Sequence, residues 1–333
     1  MIDFLQNDIN DINEVVRLTA DKRKLNPMIV EKDLWVCYVL DYLFNRCRYK
    51  DCFEFKGGTS LSKAYGLIER FSEDIDIVLH SSVLGMNLQD VISLESTNKK
   101  TKAAEELNRL AIDFYRKDLI PLLETDLYNE TGKSFNVSLN EEDLAIYVGY
   151  PASYEATYIQ NRIKLEIGPL AAWTPFEEKE ISSFVAEDYP GLFKEPSFNV
   201  RVTKPVRTFW EKAVILHQEA HRDTGDVPRR YSRHYYDIYK MYDTNVREEA
   251  LGNIPLLNEV REFTKTFYNR SWARFDEAKP GTFKVVPNAT SLKNLKDDYR
   301  NMEIMIYGNV PSFEEIIAKM GELEEEINKG CKG

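Results

Sequence analysis

The sequence predicts an α+β fold: a mixed strand-and-helix domain over residues 1–200, followed by a mainly helical domain over 201–333. Three observations carry this expectation. "CFEFKGG" (52–58) and "DIDIVLH" (74–80) have the apolar character of strands and flank a glycine turn. "EDLAIYVGY" (142–150) and "YIQNRIKLEIG" (158–168) supply two further strands. After about residue 205 helical spacing dominates, so the boundary falls near 195–205, in "KEPSFNVRVTKP".

Along the chain, Asn26-Pro27 pairs an N-cap with a proline at the first helical position and opens a helix to about Arg46. Val30, Leu34, Cys37 and Tyr38 form its inner stripe. Thr59 to about Arg70 is expected to be helical, and residues 82–100 read as a polar, irregular surface insertion. From about 101 to 124, Ala104, Leu107, Ala111 and Phe114 recur at helical spacing. A last helix opens with a capping box, Ser312 and Glu315 after Pro311, and buries Ile316, Met320, Leu323 and Ile327.

The 333 residues suffice for two domains, and 43% hydrophobic with 30% charged residues is ordinary for a soluble globular protein. No apolar run approaches the roughly 18 residues of a spanning helix. The start, "MIDFLQNDINDINEVV", carries acids where a signal peptide carries basic residues, so the expected location is the cytoplasm with no membrane partner. Cys37, Cys47, Cys52 and Cys331 lack C-x-x-C spacing and are expected as reduced thiols. A net charge of −11 speaks against indiscriminate coating of nucleic acid. Residues 201–240, however, hold nine Lys/Arg against five acids, with His217, His221 and His234 among them. That segment is the candidate surface for phosphates and an RNA backbone; the alternative is a solvated helix pair laced with salt bridges. "HQEAH" places His217 and His221 four apart on one helix face, yet Gln218 stands where a zinc hydrolase needs Glu.

The chemistry concentrates in "FEFKGGTSLSKAYGLIERFSEDIDIVLH" (53–80). Side chains alternate in a strand, so Asp74 and Asp76 share one face about 6.6 Å apart while Ile75, Ile77 and Leu79 face the core. Two like charges held together invite a hard cation, which prefers oxygen ligands and is commonly completed by substrate phosphates. A solvated edge strand is the structural alternative. The turn of Gly57, Gly58, Thr59 and Ser60 favours the first reading, because glycines let a phosphate approach the backbone. In "NRIKLEIGPL" the same alternation puts Glu166 on a polar face between cations, as third ligand or as part of a charged surface strand.

Glycine turn, helix, D-x-D strand and later acidic strand resemble the polymerase-β-like nucleotidyltransferase superfamily. More narrowly the chain resembles the AbiEii/AbiGii toxin family. "EKDLWVCYVL" (31–40), "FKGGTSLSKAYGLIERFSEDIDI" (55–77), "RIKLEIG" (162–168), "TFWEKAVILHQEAHR" (208–222) and "RYSRHYYDIYKM" (230–241) carry the likeness, over roughly residues 28–245. The resemblance implies a mixed sheet flanked by helices, with the helical C-terminal domain contributing to the active-site cleft. It implies transfer of a nucleoside monophosphate from an NTP, dependent on Mg2+ or Mn2+. It implies phosphate contacts from Gly58 and Thr59, metal at Asp74 and Asp76 with Glu166 as third acid, and a requirement for Lys212 and Asp237. It also implies an RNA acceptor, the tRNA 3′ end, and the role of a toxin paired with an antitoxin in abortive infection and phage defence. Lys212 would serve as a point charge on the triphosphate, or sit on the solvated face of its helix. Asp237, amid Tyr235, Tyr236 and Tyr239, would orient Lys212 or a nearby Arg, the preferred role, or act as general base. A small-molecule or protein acceptor, and a non-catalytic binding protein on the same fold, are the competing readings.

Overall fold

The computed structural model describes residues 1–72, 74–154, 160–170 and 176–330; Cys331 lies outside them. The chain divides into two compact units, Met1–Ala64 with Ser72–Thr203, and Tyr65–Phe71 with Lys204–Gly333.

The first unit is built on a seven-stranded sheet: β1 (Phe53–Lys56), β2 (Asp74–Leu79), β3 (Asn136–Asn140), β4 (Ala145–Gly149), β5 (Arg162–Gly168), β6 (Phe176–Ser182) and β7 (Ser197–Thr203). The order is β3-β4-β5-β2-β1-β7-β6. β2 pairs parallel with β5 and β1 parallel with β7, while the remaining neighbours are antiparallel, so the sheet is mixed. Its helices are α1 (Ile2–Leu5), α2 (Ile9–Arg23), α3 (Pro27–Asp41), α4 (Gly57–Lys63), α5 (Leu88–Ile92), α6 (Thr97–Phe114), α7 (Ile120–Thr131) and α8 (Phe184–Asp188).

α3 starts where its sequence demands. The Asn26 side chain accepts from the Met28 N–H at 3.0 Å, Pro27 follows, and the helix runs on through a π-turn to Arg46. Every residue from Met28 to Asp41 is buried, including three consecutive charges. Each has a partner: Glu31 accepts from the Ser153 N–H (2.7 Å), Lys32 donates to the Gln160 carbonyl (3.1 Å), and Asp33 takes both Lys63 (2.7 Å) and the Phe184 N–H (2.7 Å).

Two expectations are corrected. The helix placed over Thr59 to Arg70 ends at Lys63, because Gly66 turns left-handed at φ +60° and the following segment packs with the second unit. The stretch 82–100 is largely structured: a 3-10 turn over Ser81–Leu84, α5 capped by Asn87, and the first turn of α6. Strands β3, β6 and β7 carry weak signals. β6, "FEEKEIS", lies at the sheet edge with Glu178 and Glu180 exposed and Glu177 and Lys179 half-buried, so apolar alternation is missing.

The second unit comprises α9 (Pro205–Ala220), α10 (Ser232–Tyr242), α11 (Asn245–Leu251), α12 (Ile254–Phe267), α13 (Ala289–Met302) and α14 (Phe313–Lys329). α9 packs against α10, α11 and α12, and α10 also meets α13 and α14. The Ser312–Glu315 capping box is formed, and Ile316, Met320, Leu323 and Ile327 are buried. The segment Tyr65–Phe71 belongs here, tied by a β-bridge between Arg70 and Ile306. Cys37 and Cys47 are buried free thiols and Cys52 a half-buried one. No helix among the described residues is long and apolar enough to cross a membrane.

Candidate active site

β1 delivers the chain to Gly57 and pairs with β2 so that Lys56 lies opposite Asp76. Gly57 adopts φ +76°, a left-handed conformation that favours glycine. Space forbids a side chain as well. A Cβ at Gly57 would stand 1.8 Å from Asp76 Oδ2 and 2.5 Å from its Cγ. The gap that the sequence offers to a phosphate is thus filled by the Asp76 carboxylate. Gly58, Thr59 and Ser60 are buried in α4. The Thr59 hydroxyl donates to the Asp74 carbonyl, with the Ser72 carbonyl at 3.4 Å, and the Ser60 hydroxyl donates to the Gly57 carbonyl at 2.9 Å. The Thr59 hydroxyl braces the turn against the beginning of the acid strand, and the Ser60 hydroxyl closes the turn on itself.

On β2, Ile75, Ile77 and Leu79 are buried while Asp74 and Asp76 occupy the opposite, half-buried face. The parallel register with β5 sets Asp74 beside Lys164 and Asp76 beside Glu166, so all three acids share one face. Lys164 Nζ lies 2.5 Å from Glu166 Oε1. Burial works against this ammonium, but the Glu166 hydrogen bond and the charges of Glu166 and Asp74 outweigh it and push its pKa up. Lys164 is therefore the local counter-charge to the acids, a role its place in the sequence does not announce.

No group of three or more His, Cys, Asp or Glu side chains among the described residues converges tightly enough to hold a metal ion. The donor set nevertheless fits a hard divalent cation. It offers carboxylate oxygens on one face, and such ions are commonly held by one or two carboxylates plus substrate phosphates instead of a complete protein cage.

In the second unit α9 supplies Lys212, α10 supplies Asp237 and the segment before β2 supplies Arg70. Phe209, Ala213 and Leu216 are buried as the helical pattern predicts, but Lys212 is buried with them and does not lie on a solvated face. Its Nζ sits 2.9 Å from Asp237 Oδ2. Asp237, fully buried, also receives the two-pronged guanidinium of Arg70, Nε to Oδ1 at 2.7 Å and Nη2 to Oδ2 at 2.8 Å. Burial raises the Asp237 carboxyl, yet the paired cations overcome it and hold the group well below the usual carboxylate range. Burial, helped by Arg70, lowers the Lys212 ammonium against the pull of Asp237. Sequence reasoning did not single out Arg70; its partner lies 167 residues away.

Four further cations of the 201–240 segment have acidic partners: Arg201 with Asp51, Arg207 with Glu211, Arg222 with Glu219 and Lys240 with Glu69. His217 accepts from the Lys284 N–H at Nδ1 (3.0 Å) and faces the Arg274 carbonyl with Nε2 (3.1 Å), so backbone groups occupy both ring nitrogens. His221 Nδ1 faces the His217 carbonyl at 2.9 Å.

No curated protein matches the chain. Among solved structures, MenT4, a nucleotidyltransferase toxin from Mycobacterium tuberculosis, is similar at 15% identity, with 95% of this chain and 97% of that one covered and a TM-score of 0.49. The family model for the nucleotidyl transferase AbiEii toxin of type IV toxin–antitoxin systems matches residues 39–319, from within α3 into α14. With a match over most of its length, the chain belongs to the AbiEii family of nucleotidyltransferase toxins.

Proposed function

We propose that the protein transfers a nucleoside monophosphate from an NTP to an RNA acceptor, the 3′ end of tRNA, and does so with Mg2+ or Mn2+. The observation that carries this reading is the set of acids in register, Asp74, Asp76 and Glu166 on one face, with the Asp76 carboxylate seated on Gly57. In the reaction the acceptor hydroxyl oxygen bonds to the α-phosphorus, the bond to the bridging β-phosphate oxygen breaks, pyrophosphate leaves and the hydroxyl proton is released. A divalent ion, when bound, supplies charge stabilisation for the attacking and leaving oxygens. Asp74 and Asp76 would hold it, with Glu166 as third acid once released from Lys164. Gly58, Thr59 and Ser60 form the phosphate-side turn, while Gly57 makes room for the Asp76 carboxylate. Lys212 offers positive charge to the triphosphate, and Asp237 fixes the direction of Lys212 and Arg70.

Incubating the purified protein with each α-labelled NTP and total RNA, with and without a chelator, tests the reading. Label in the tRNA fraction, lost on chelation, is the expected result. Label in protein or in small molecules moves the acceptor to the competing enzymatic reading, and label in no fraction overturns transfer. Growth arrest on expression, abolished by Asp76→Ala, would connect the transfer to toxicity; arrest that persisted in the variant would break that connection.

A further inference from the structure

We propose that Arg162 and Tyr147 form a stacking platform for the terminal base of the RNA acceptor, on the sheet face that carries the three acids. The inference rests on the nucleotidyl-transfer reading and names the acceptor side of that site, which lies wholly within the first unit.

The side from which the acceptor arrives follows from the sheet order. In phosphoryl transfer the attacking oxygen and the leaving group lie roughly in line, on opposite sides of the phosphorus. β2 carries Asp74 and Asp76, with β1 on one flank and β5 on the other. The glycine turn continues from β1, so the leaving pyrophosphate belongs on that flank. The acceptor hydroxyl then comes from the flank of β5 and β4.

The residues of that flank suit a nucleobase. Alternation puts Arg162 on the face of Lys164 and Glu166. The antiparallel register with β4 sets Tyr147 opposite Lys164 and Gly149 opposite Arg162. The Arg162 guanidinium carbon lies 4.0 Å from the centroid of the Tyr147 ring, and Arg162 Nε donates to Gln160 Oε1 at 2.8 Å. Ring and amide together fix the plane of the guanidinium. Both of these partners are neutral, which leaves its positive charge for a polyanion. Arg162 is exposed and Tyr147 half-buried, so a ligand can reach the stack, and Gly149 places no side chain beside it.

Spacing agrees with this role. Tyr147 stands two strands from Asp74, roughly 9.6 Å across the sheet. That is comparable with the reach of a nucleoside from its 3′ hydroxyl to the outer edge of its base. Single-stranded RNA ends are commonly held by stacking unpaired bases on aromatic rings or on guanidinium planes. A base lying on the Arg162–Tyr147 stack would bring its own hydroxyl towards the acids.

Three variants test the platform. Arg162→Lys keeps the charge and loses the plane, Tyr147→Leu removes the ring, and Tyr147→Phe retains it. Two measurements apply to each: anisotropy of a fluorescent single-stranded RNA with a free 3′ hydroxyl, in chelator, and initial rates of label transfer against RNA and against NTP concentration. Arg162→Lys and Tyr147→Leu should each weaken RNA binding and raise the KM for RNA by about 10-fold, the size of one lost base stack. The KM for NTP should stay unchanged, and Tyr147→Phe should behave as wild type. Wild-type RNA affinity in Arg162→Lys would overturn the proposal and leave Arg162 a phosphate contact. Equal rises in both KM values would overturn it as well. If Tyr147→Leu does not fold, Arg162→Lys decides. If the wild-type protein transfers no label, the functional reading fails while the anisotropy still judges the platform.

Discussion

Replacing Gly57 by alanine should cut transfer by about 10²-fold at small cost to the fold. An L-residue held at φ +76° pays about 1 kcal/mol in backbone strain. The larger consequence is displacement. The new Cβ would fall 1.8 Å from Asp76 Oδ2, whereas ordinary contact begins near 3.4 Å. The carboxylate must retreat by about 1.6 Å, the difference between those distances, or rotate away from the face it shares with Asp74 and Glu166. A misplacement on that scale costs about 10²-fold in rate when the group belongs to the reacting constellation. Gly132→Ala is the matched control. Its φ is +68° with nothing within 4 Å of the added Cβ, so it carries the same backbone strain with no carboxylate to move. Label transfer and thermal melting of both variants decide. If Gly57→Ala kept most of the wild-type rate, the Asp76–Gly57 contact would be packing and nothing more.

Asp74→Ala and Asp76→Ala should each eliminate label transfer while leaving far-ultraviolet circular dichroism unchanged, because the apolar half of β2 is untouched. Lys212→Ala should raise the KM for NTP more than it lowers kcat, and a variant with unchanged KM would remove Lys212 from the triphosphate. His217 makes stability depend on pH. Burial lowers its pKa to about 4 from 6.5, and protonation would turn the Nδ1 acceptor into a donor facing the Lys284 N–H. The unfolded chain therefore takes up this proton first as pH falls, so stability is full above pH 6.5 and declines towards pH 4. In urea unfolding, the difference between wild type and His217→Gln should shrink by about 2 kcal/mol from pH 7 to pH 5. Ser312→Ala should cost about 1 kcal/mol through loss of the α14 cap, read as a lower urea midpoint at unchanged slope.

The acid strand was legible because alternation is a local property: Ile75 and Ile77 go in, so Asp74 and Asp76 go out. Alternation also gave the face of Glu166, but not its neighbour, which depends on the parallel pairing of β2 with β5. The cap at Asn26 and the capping box at Ser312 were legible for the same local reason. Lys212 could not be recognised as buried, since a lysine between apolar helical positions is usually solvated and only its partners reveal otherwise. Arg70 was hidden by distance in sequence. Gly66 lies inside the run read as one helix from Thr59 to about Arg70; a glycine within a helical run is tolerated often enough that it does not by itself announce the left-handed turn found there. The edge strand β6 left no apolar trace because half of its pattern faces water.

The Arg70–Asp237–Lys212 cluster separates the two roles open to Asp237. A general base must accept a proton in the working pH range, so its pKa should lie near that range. Two cations at hydrogen-bond distance hold Asp237 far below it, and full burial gives the carboxylate no exposed face from which to meet an acceptor hydroxyl. What the group can do is hold direction. Both oxygens accept from Arg70, and one of them also takes Lys212, so neither cation can swing without losing its partner. Asp237→Asn separates the roles experimentally, because it preserves shape and removes the charge. Loss of a base would lower kcat and erase the acidic limb of the pH profile. Loss of an orienting group would instead raise the KM for NTP, leaving the shape of the profile intact.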